Sequence, residues 1–236
     1  MQKPTKKTPV SKCLDLSTFT VRMLGKYPAN AVLTALAAKL GAAAAGLDSA
    51  QTSHTAAVKA ILPTRVDVKF ENFTSDRRVR LTQQKVEMAD AKKSGPIATV
   101  AFPDGSTPIT RLQGESQVAE MTNLVGRLAA LASLWPEAEA ESQAIGQCRD
   151  QYDLAIEGRT QAGKAADDLR AKRDVAKEIF LTTYAEVASR VEAEFPRDTT
   201  MQDLFFDDVR TPSTAAEAEA EAEADDSEPD APPPAE

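Results

Sequence analysis

The sequence predicts an all-α protein, an antiparallel helical bundle or coiled-coil hairpin of long, proline-kinked helices. Hydrophobic residues make up 42% of the chain but aromatic residues only 5%, and only 10 of the 236 residues are glycine. Alanine supplies much of the apolar content, and Ala, Glu, Lys and Arg lose the least conformational entropy in a helix. Apolar residues also recur at alternating spacings of three and four over long stretches, which is the periodicity of a packed helix.

The first 27 residues contain many Lys, Thr, Ser and Pro residues and predict a flexible basic arm. Pro28 suits the first turn of a helix. From there an apolar heptad predicts a helix over about 29–62, and Pro63 is expected to end or kink it. The heptad positions are Leu33, Leu36, Leu40, Ala43, Leu47, Ala50, His54, Ala57 and Ile61.

The next segment admits two interpretations. Val66, Val68 and Phe70 alternate with charged residues, as in a half-buried strand, so a strand over 65–70 stays open. A helix over 66–93 is favoured because good helix formers continue to residue 93. One helical face would then carry Phe70, Phe73, Arg77, Leu81, Gln84 and Met88.

A break in the helical pattern follows Ser94-Gly95-Pro96. Two β-branched runs, 97–102 and 107–112, flank the turn sequence Pro103-Asp104-Gly105. That arrangement predicts a small β-hairpin insertion over about 95–112.

Helical periodicity resumes at Glu115 and predicts helices over 115–135 and 137–195, separated at Pro136. The seam of the second of these is thin and rich in alanine. After Pro196, a short helix is expected over 201–209, which completes a helical domain over 28–210.

The charges are unevenly distributed along the chain. Residues 215–236 hold nine acids and no base, while residues 1–27 hold six bases against one acid, Asp15. Residues 211–236, rich in Ala, Glu and Pro, predict a disordered acidic tail, because like charges without apolar anchors cannot build a core.

Location is inferred from what the sequence lacks. Cys13 and Cys148 do not form a disulfide framework, and no signal-peptide pattern precedes them. The most apolar window, 31–47, is mostly alanine and contains Lys39, so no membrane span is expected. We expect a cytoplasmic protein.

No catalytic, cofactor or metal site is predicted. Gly158 to Lys164 has the spacing of a phosphate-binding loop, but Ala165 replaces the required hydroxyl residue and the flanks are helical. His54, the single histidine, lies on the first seam without a carboxylate or thiol cluster. A role in setting the seam register is therefore predicted for His54.

Two short segments suggest contacts with partners. Leu204, Phe205 and Phe206, flanked by acids, are candidates for docking into a partner's groove, although the two aromatic side chains could instead cap the end of the bundle. The basic run from Arg77 to Arg80 lies in a net acidic body and is interpreted as a solvated face, so nucleic acid is not an expected partner.

These features favour a non-enzymatic structural or protein–protein interaction protein that acts through helix packing, with a protein partner or self-association. No small-molecule substrate is inferred. Two alternatives remain: a membrane-active helical protein with the β-hairpin as its tip, and an enzyme of unrecognised type.

Overall fold

The computed structural model describes residues 3–92 and 94–208. Within this part of the chain there are seven α-helices and no strand, which confirms the predicted all-helical fold. The helices are α1 (Val10–Leu24), α2 (Ala31–Ala89), α3 (Pro96–Ala101), α4 (Thr107–Thr110), α5 (Glu115–Ala129), α6 (Ala138–Glu194) and α7 (Thr199–Leu204). The predicted acidic tail, 211–236, lies outside the described residues.

The chain forms two compact units. Unit 1 comprises Met1–Ala56 and Asp167–Glu236, and its core contains the seam leucines Leu33, Leu36, Leu40 and Leu47. Unit 2 comprises Ala57–Ala166, and its core is built mainly by α3, α5 and the residues that follow α5. Each of the two long helices contributes residues to both units.

The prediction of a flexible arm over 1–27 differs from the structure, which has helix α1 there. Its buried residues recur on one face and belong to unit 1: Lys12, Cys13, Leu16, Ser17, Thr20 and Leu24. The Thr20 and Tyr184 hydroxyl oxygens lie 3.4 Å apart, so α1 contacts α6. The composition misled the prediction because Lys12 and Thr20 are polar residues that this face nevertheless buries.

The predicted helix end at Pro63 is wrong, because α2 continues through this residue for 59 residues in total. Residues 65–70 are helical, so the favoured helix interpretation is confirmed and the strand is excluded there. Proline removes one backbone donor from the helix and costs about 3 kcal/mol in its interior.

The predicted β-hairpin is also wrong, because α3 and α4 occupy its place. Pro96 and Pro108 lie in the first turns of these helices, where the missing donor costs nothing. The Asp90 carboxylate accepts hydrogen bonds from the amides of Ile97 and Ala98, at 3.2 and 2.7 Å, and so caps α3. The turn itself is present at Pro103-Asp104, with Gly105 at a φ of 77°.

The second half follows the prediction more closely. Helix α6 spans 57 residues, with bounds within one residue of those predicted for 137–195. Helix α5 ends at Ala129, six residues before the predicted end, and turns lead from it to Pro136. Helix α7 begins two residues earlier than expected and ends at Leu204 instead of 209, with its first turn capped by Asp198.

Pairings between α2 and α6 are antiparallel within each unit. In unit 1, Asn30, the residue before α2, donates to Glu194 and Lys39 to Glu186, both at 2.6 Å. In unit 2, the Ser75 hydroxyl donates to the Cys148 carbonyl at 3.4 Å, and Arg78 donates to Glu141 at 2.6 Å. Residue numbers rise along α2 as they fall along α6, which is the antiparallel order that the sequence predicted.

Candidate interaction surface

The aromatic end of unit 1 contains two of the three predicted docking residues. Phe205 is fully buried and Phe206 is 9% exposed, whereas Leu204 is 46% exposed. Phe205 contacts Tyr27 and Phe195, with ring centroids 5.3 and 5.5 Å away. The Phe206 ring lies 5.8 Å from Tyr184. The two phenylalanines therefore cap the end of unit 1, and of the three residues only Leu204 is accessible to a partner.

His54 lies on the inward face of α2 and is 8% exposed. Its Nδ1 atom lies 3.3 Å from Nη1 of Arg173 on α6, also in unit 1. Because a guanidinium can only donate, Nδ1 accepts this hydrogen bond. The role of His54 in setting the register of the seam stays a prediction.

The segment with the spacing of a phosphate-binding loop is helical. Gly158 to Lys164 forms part of α6, and a side chain at Gly158 or Gly163 would meet no atom within 4 Å. Within residues 3–92 and 94–208, no group of three or more His, Cys, Asp or Glu side chains is placed to hold a metal ion.

By length and composition, α2 meets the criterion for a membrane-spanning helix, with an 18-residue window of mean hydropathy 1.4. One such helix is weak evidence, since core helices of soluble proteins meet the same criterion.

A buried charged cluster joins α2 to α6 in unit 2. Glu141 is 3% exposed and accepts hydrogen bonds from three α2 side chains. Arg78 and Thr82 donate to Oε2, at 2.6 and 2.8 Å, and Lys85 donates to Oε1 at 2.5 Å. The sequence reasoning missed this cluster. Its only signal was a glutamate in the first turn of α6, which on its own suggests a favourable interaction with the helix dipole.

The electrostatic environment of Glu141 favours its charged form. Burial alone would raise the pKa of this carboxyl, but the hydrogen bonds from Lys85 and Thr82 and the charge of Arg78 outweigh burial. Its pKa is therefore lowered. A carboxylate held on three sides by α2 side chains fixes the rotation of α2 about its own axis in unit 2.

That rotation leaves one apolar face of α2 in solvent. We define the α2 stripe as Leu62, Val66, Phe70, Phe73, Leu81 and Met88. Their exposed fractions range from 41% to 79%. Successive members are three, four, seven or eight positions apart, so they share one side of the helix. The opposite side packs inward: Val79, Thr82 and Val86 are fully buried.

Exposure of this kind departs from the usual surface of a soluble domain. Single exposed apolar residues need no explanation, whereas several large ones along one face of a helix mark an interaction site. Leu154 on α6 shows the contrast. It is 69% exposed, but the residues three and four positions before and after it, apart from Gly158, are polar.

No family model, curated protein or solved structure matches the chain. The interpretation of the α2 stripe therefore depends on the residues of this chain alone. The sequence pattern did place Phe70, Phe73, Leu81 and Met88 on one face, but periodicity cannot tell a face that packs inward from one that faces solvent.

Proposed function

We propose that this chain is a non-enzymatic interaction protein that binds a helix of a partner along the α2 stripe. The observation that supports this proposal is a set of six large apolar side chains, each at least 41% exposed, on one face of one helix. Burying such a side chain releases about 1.5–3 kcal/mol relative to leaving it in water. A stripe of this composition is therefore a favourable surface for a second amphipathic helix.

A helix is the partner element that fits the spacing. Side chains at intervals of three and four present a narrow ridge, and ridges pack into the grooves of another helix. The alternative of a membrane-active protein loses its structural basis, because α3 and α4 replace the β-hairpin that was to form its tip. We further propose a reducing compartment such as the cytoplasm, supported by the free thiols of Cys13 and Cys148.

Site-specific photo-crosslinking in cells that produce the protein tests this function. A benzophenone amino acid replaces Phe73, which is 63% exposed, in one variant and Leu154, which is 69% exposed, in a control variant. We expect a discrete adduct from position 73 and none from position 154. The adduct is also expected to disappear when Phe70→Ser is added. Equal labelling at both positions, or none at either, would overturn the proposal.

A further inference from the structure

We propose that the partner of the α2 stripe is an acidic amphipathic helix of another protein. This inference rests on the proposed function and adds the chemistry of the partner. It is carried by the charges that surround the stripe. Over residues 57–89, five bases are exposed: Lys59, Arg65, Lys69, Arg77 and Arg80. A single acid, Asp67, is exposed over the same residues.

The remaining charged residues of this part of α2 are half-buried: two bases, Arg78 and Lys85, and three acids, Glu71, Asp76 and Glu87. Glu87 accepts a hydrogen bond from Gln83 at 2.8 Å. Arg78 and Lys85 are held by Glu141 on the inward side of the helix. Asp76 accepts a hydrogen bond from Gln117 at 2.7 Å. The stripe therefore offers apolar side chains flanked by positive charge, and complementary charge steers and selects partners more than it adds raw affinity.

Two polar residues interrupt the stripe and favour a protein helix over a lipid surface. Arg77 and Gln84 are both exposed, lie on the same face and are seven positions apart. Polar residues at one position of a heptad set the register between two packed helices. An interfacial membrane helix instead presents an uninterrupted apolar face to the acyl chains.

A second copy of this chain is a poorer occupant. Pairing two α2 stripes would bring two surfaces of the same positive excess together, and like charges across an interface cost binding energy. An acidic partner removes that repulsion. From Leu62 to Met88 the stripe extends over about 39 Å at 1.5 Å per residue, so a partner helix of about seven turns covers it.

Fluorescence anisotropy with the full chain and two designed helical peptides tests the inference. Both peptides carry the same leucine seam of about seven turns. One has glutamates at the flanking positions and the other has lysines. We expect the glutamate peptide to bind at least about tenfold more tightly than the lysine peptide. The triple variant Arg65→Glu, Arg77→Glu and Arg80→Glu should reverse this preference. A control triple variant on α6, Arg159→Glu, Lys164→Glu and Arg170→Glu, should retain it.

The outcomes separate the inference from the proposed function. Equal affinity for the two peptides, binding of neither, or a preference that the α2 triple variant leaves unchanged would each overturn the acidic partner. The crosslink at position 73 would still stand in those cases. Two further results would also overturn the acidic partner. One is flotation of the protein with phosphatidylserine vesicles that Phe70→Ser with Phe73→Ser abolishes, and the other is a dimer that the same double variant dissociates.

Discussion

Arg78 on α2 donates to the Glu141 carboxylate on α6 at 2.6 Å, and both residues belong to unit 2. Thr82 and Lys85 complete the set of donors. Because all three come from the same side of α2, the opposite side is directed toward solvent. Val79 and Val86 are buried with Thr82, and the α2 stripe lies on a different face of the same helix.

Neutralising the buried carboxylate should destabilise unit 2. Glu141→Gln keeps the shape of the side chain but leaves Arg78 and Lys85 without their anionic partner. We expect a loss of about 2 kcal/mol in the free energy of unfolding, because a charge-assisted hydrogen bond contributes more than a neutral one. Denaturant titration followed by circular dichroism measures it. Glu139→Gln, at an exposed position of the same helical turn, is the control, and an equal effect at both positions would contradict this role.

Acid should weaken the wild-type protein more than Glu141→Gln. The pKa of Glu141 is lowered in the folded chain, so its contribution to stability is present above the ordinary value of 4.5. That contribution is lost as the pH falls through the lower, folded-state pKa. The difference in unfolding free energy between wild type and Glu141→Gln should therefore shrink between pH 7 and pH 3. A difference that stays constant over this range would show that the carboxylate charge is not involved.

Replacing Pro63 should stabilise the protein. The residue lies inside α2, where it removes a backbone donor and crowds the preceding turn. We expect Pro63→Ala to raise the free energy of unfolding by as much as about 3 kcal/mol. Thermal unfolding compares it with Pro28→Ala, which lies in the turn before α2 and should give no such gain. A lower melting temperature for Pro63→Ala would mean that the proline fits this site.

The aromatic end of unit 1 gives a matched pair of neighbouring residues. Phe205→Ala removes a fully buried ring and should cost about 3 kcal/mol in unfolding free energy. Leu204→Ala removes a side chain that is 46% exposed and should cost well under half as much. Denaturant unfolding distinguishes the two. Comparable losses would indicate that Phe205 is not part of the core.

The residues explain which parts of the fold were predictable. Leu33, Leu36, Leu40 and Leu47 are large, apolar and regularly spaced, so the pattern alone predicted their helix and its buried face. The hairpin prediction failed because β-branched residues around a proline–glycine turn also suit two short helices. The Asp90 carboxylate decides between them by capping α3, and it lies outside the segment used for the prediction.

The candidate surface could be predicted only in part. Spacing placed Phe70, Phe73 and Met88 together, but whether that face is exposed depends on how α2 packs against residues distant in sequence. The inward placement of Phe205 and Phe206 likewise depends on Tyr27, Tyr184 and Phe195. Both cases require tertiary contacts that a single sequence does not specify.

The orientation of α2 in unit 2 can be measured directly by thiol labelling. Single cysteines are placed along α2 in a background with Cys13→Ala and Cys148→Ala, and circular dichroism verifies that each variant is folded. Fast labelling is expected at positions 62, 66, 70, 73, 81 and 88, and slow labelling at 79, 82 and 86. Equal rates around the helix, or slow labelling along the stripe, would contradict the account.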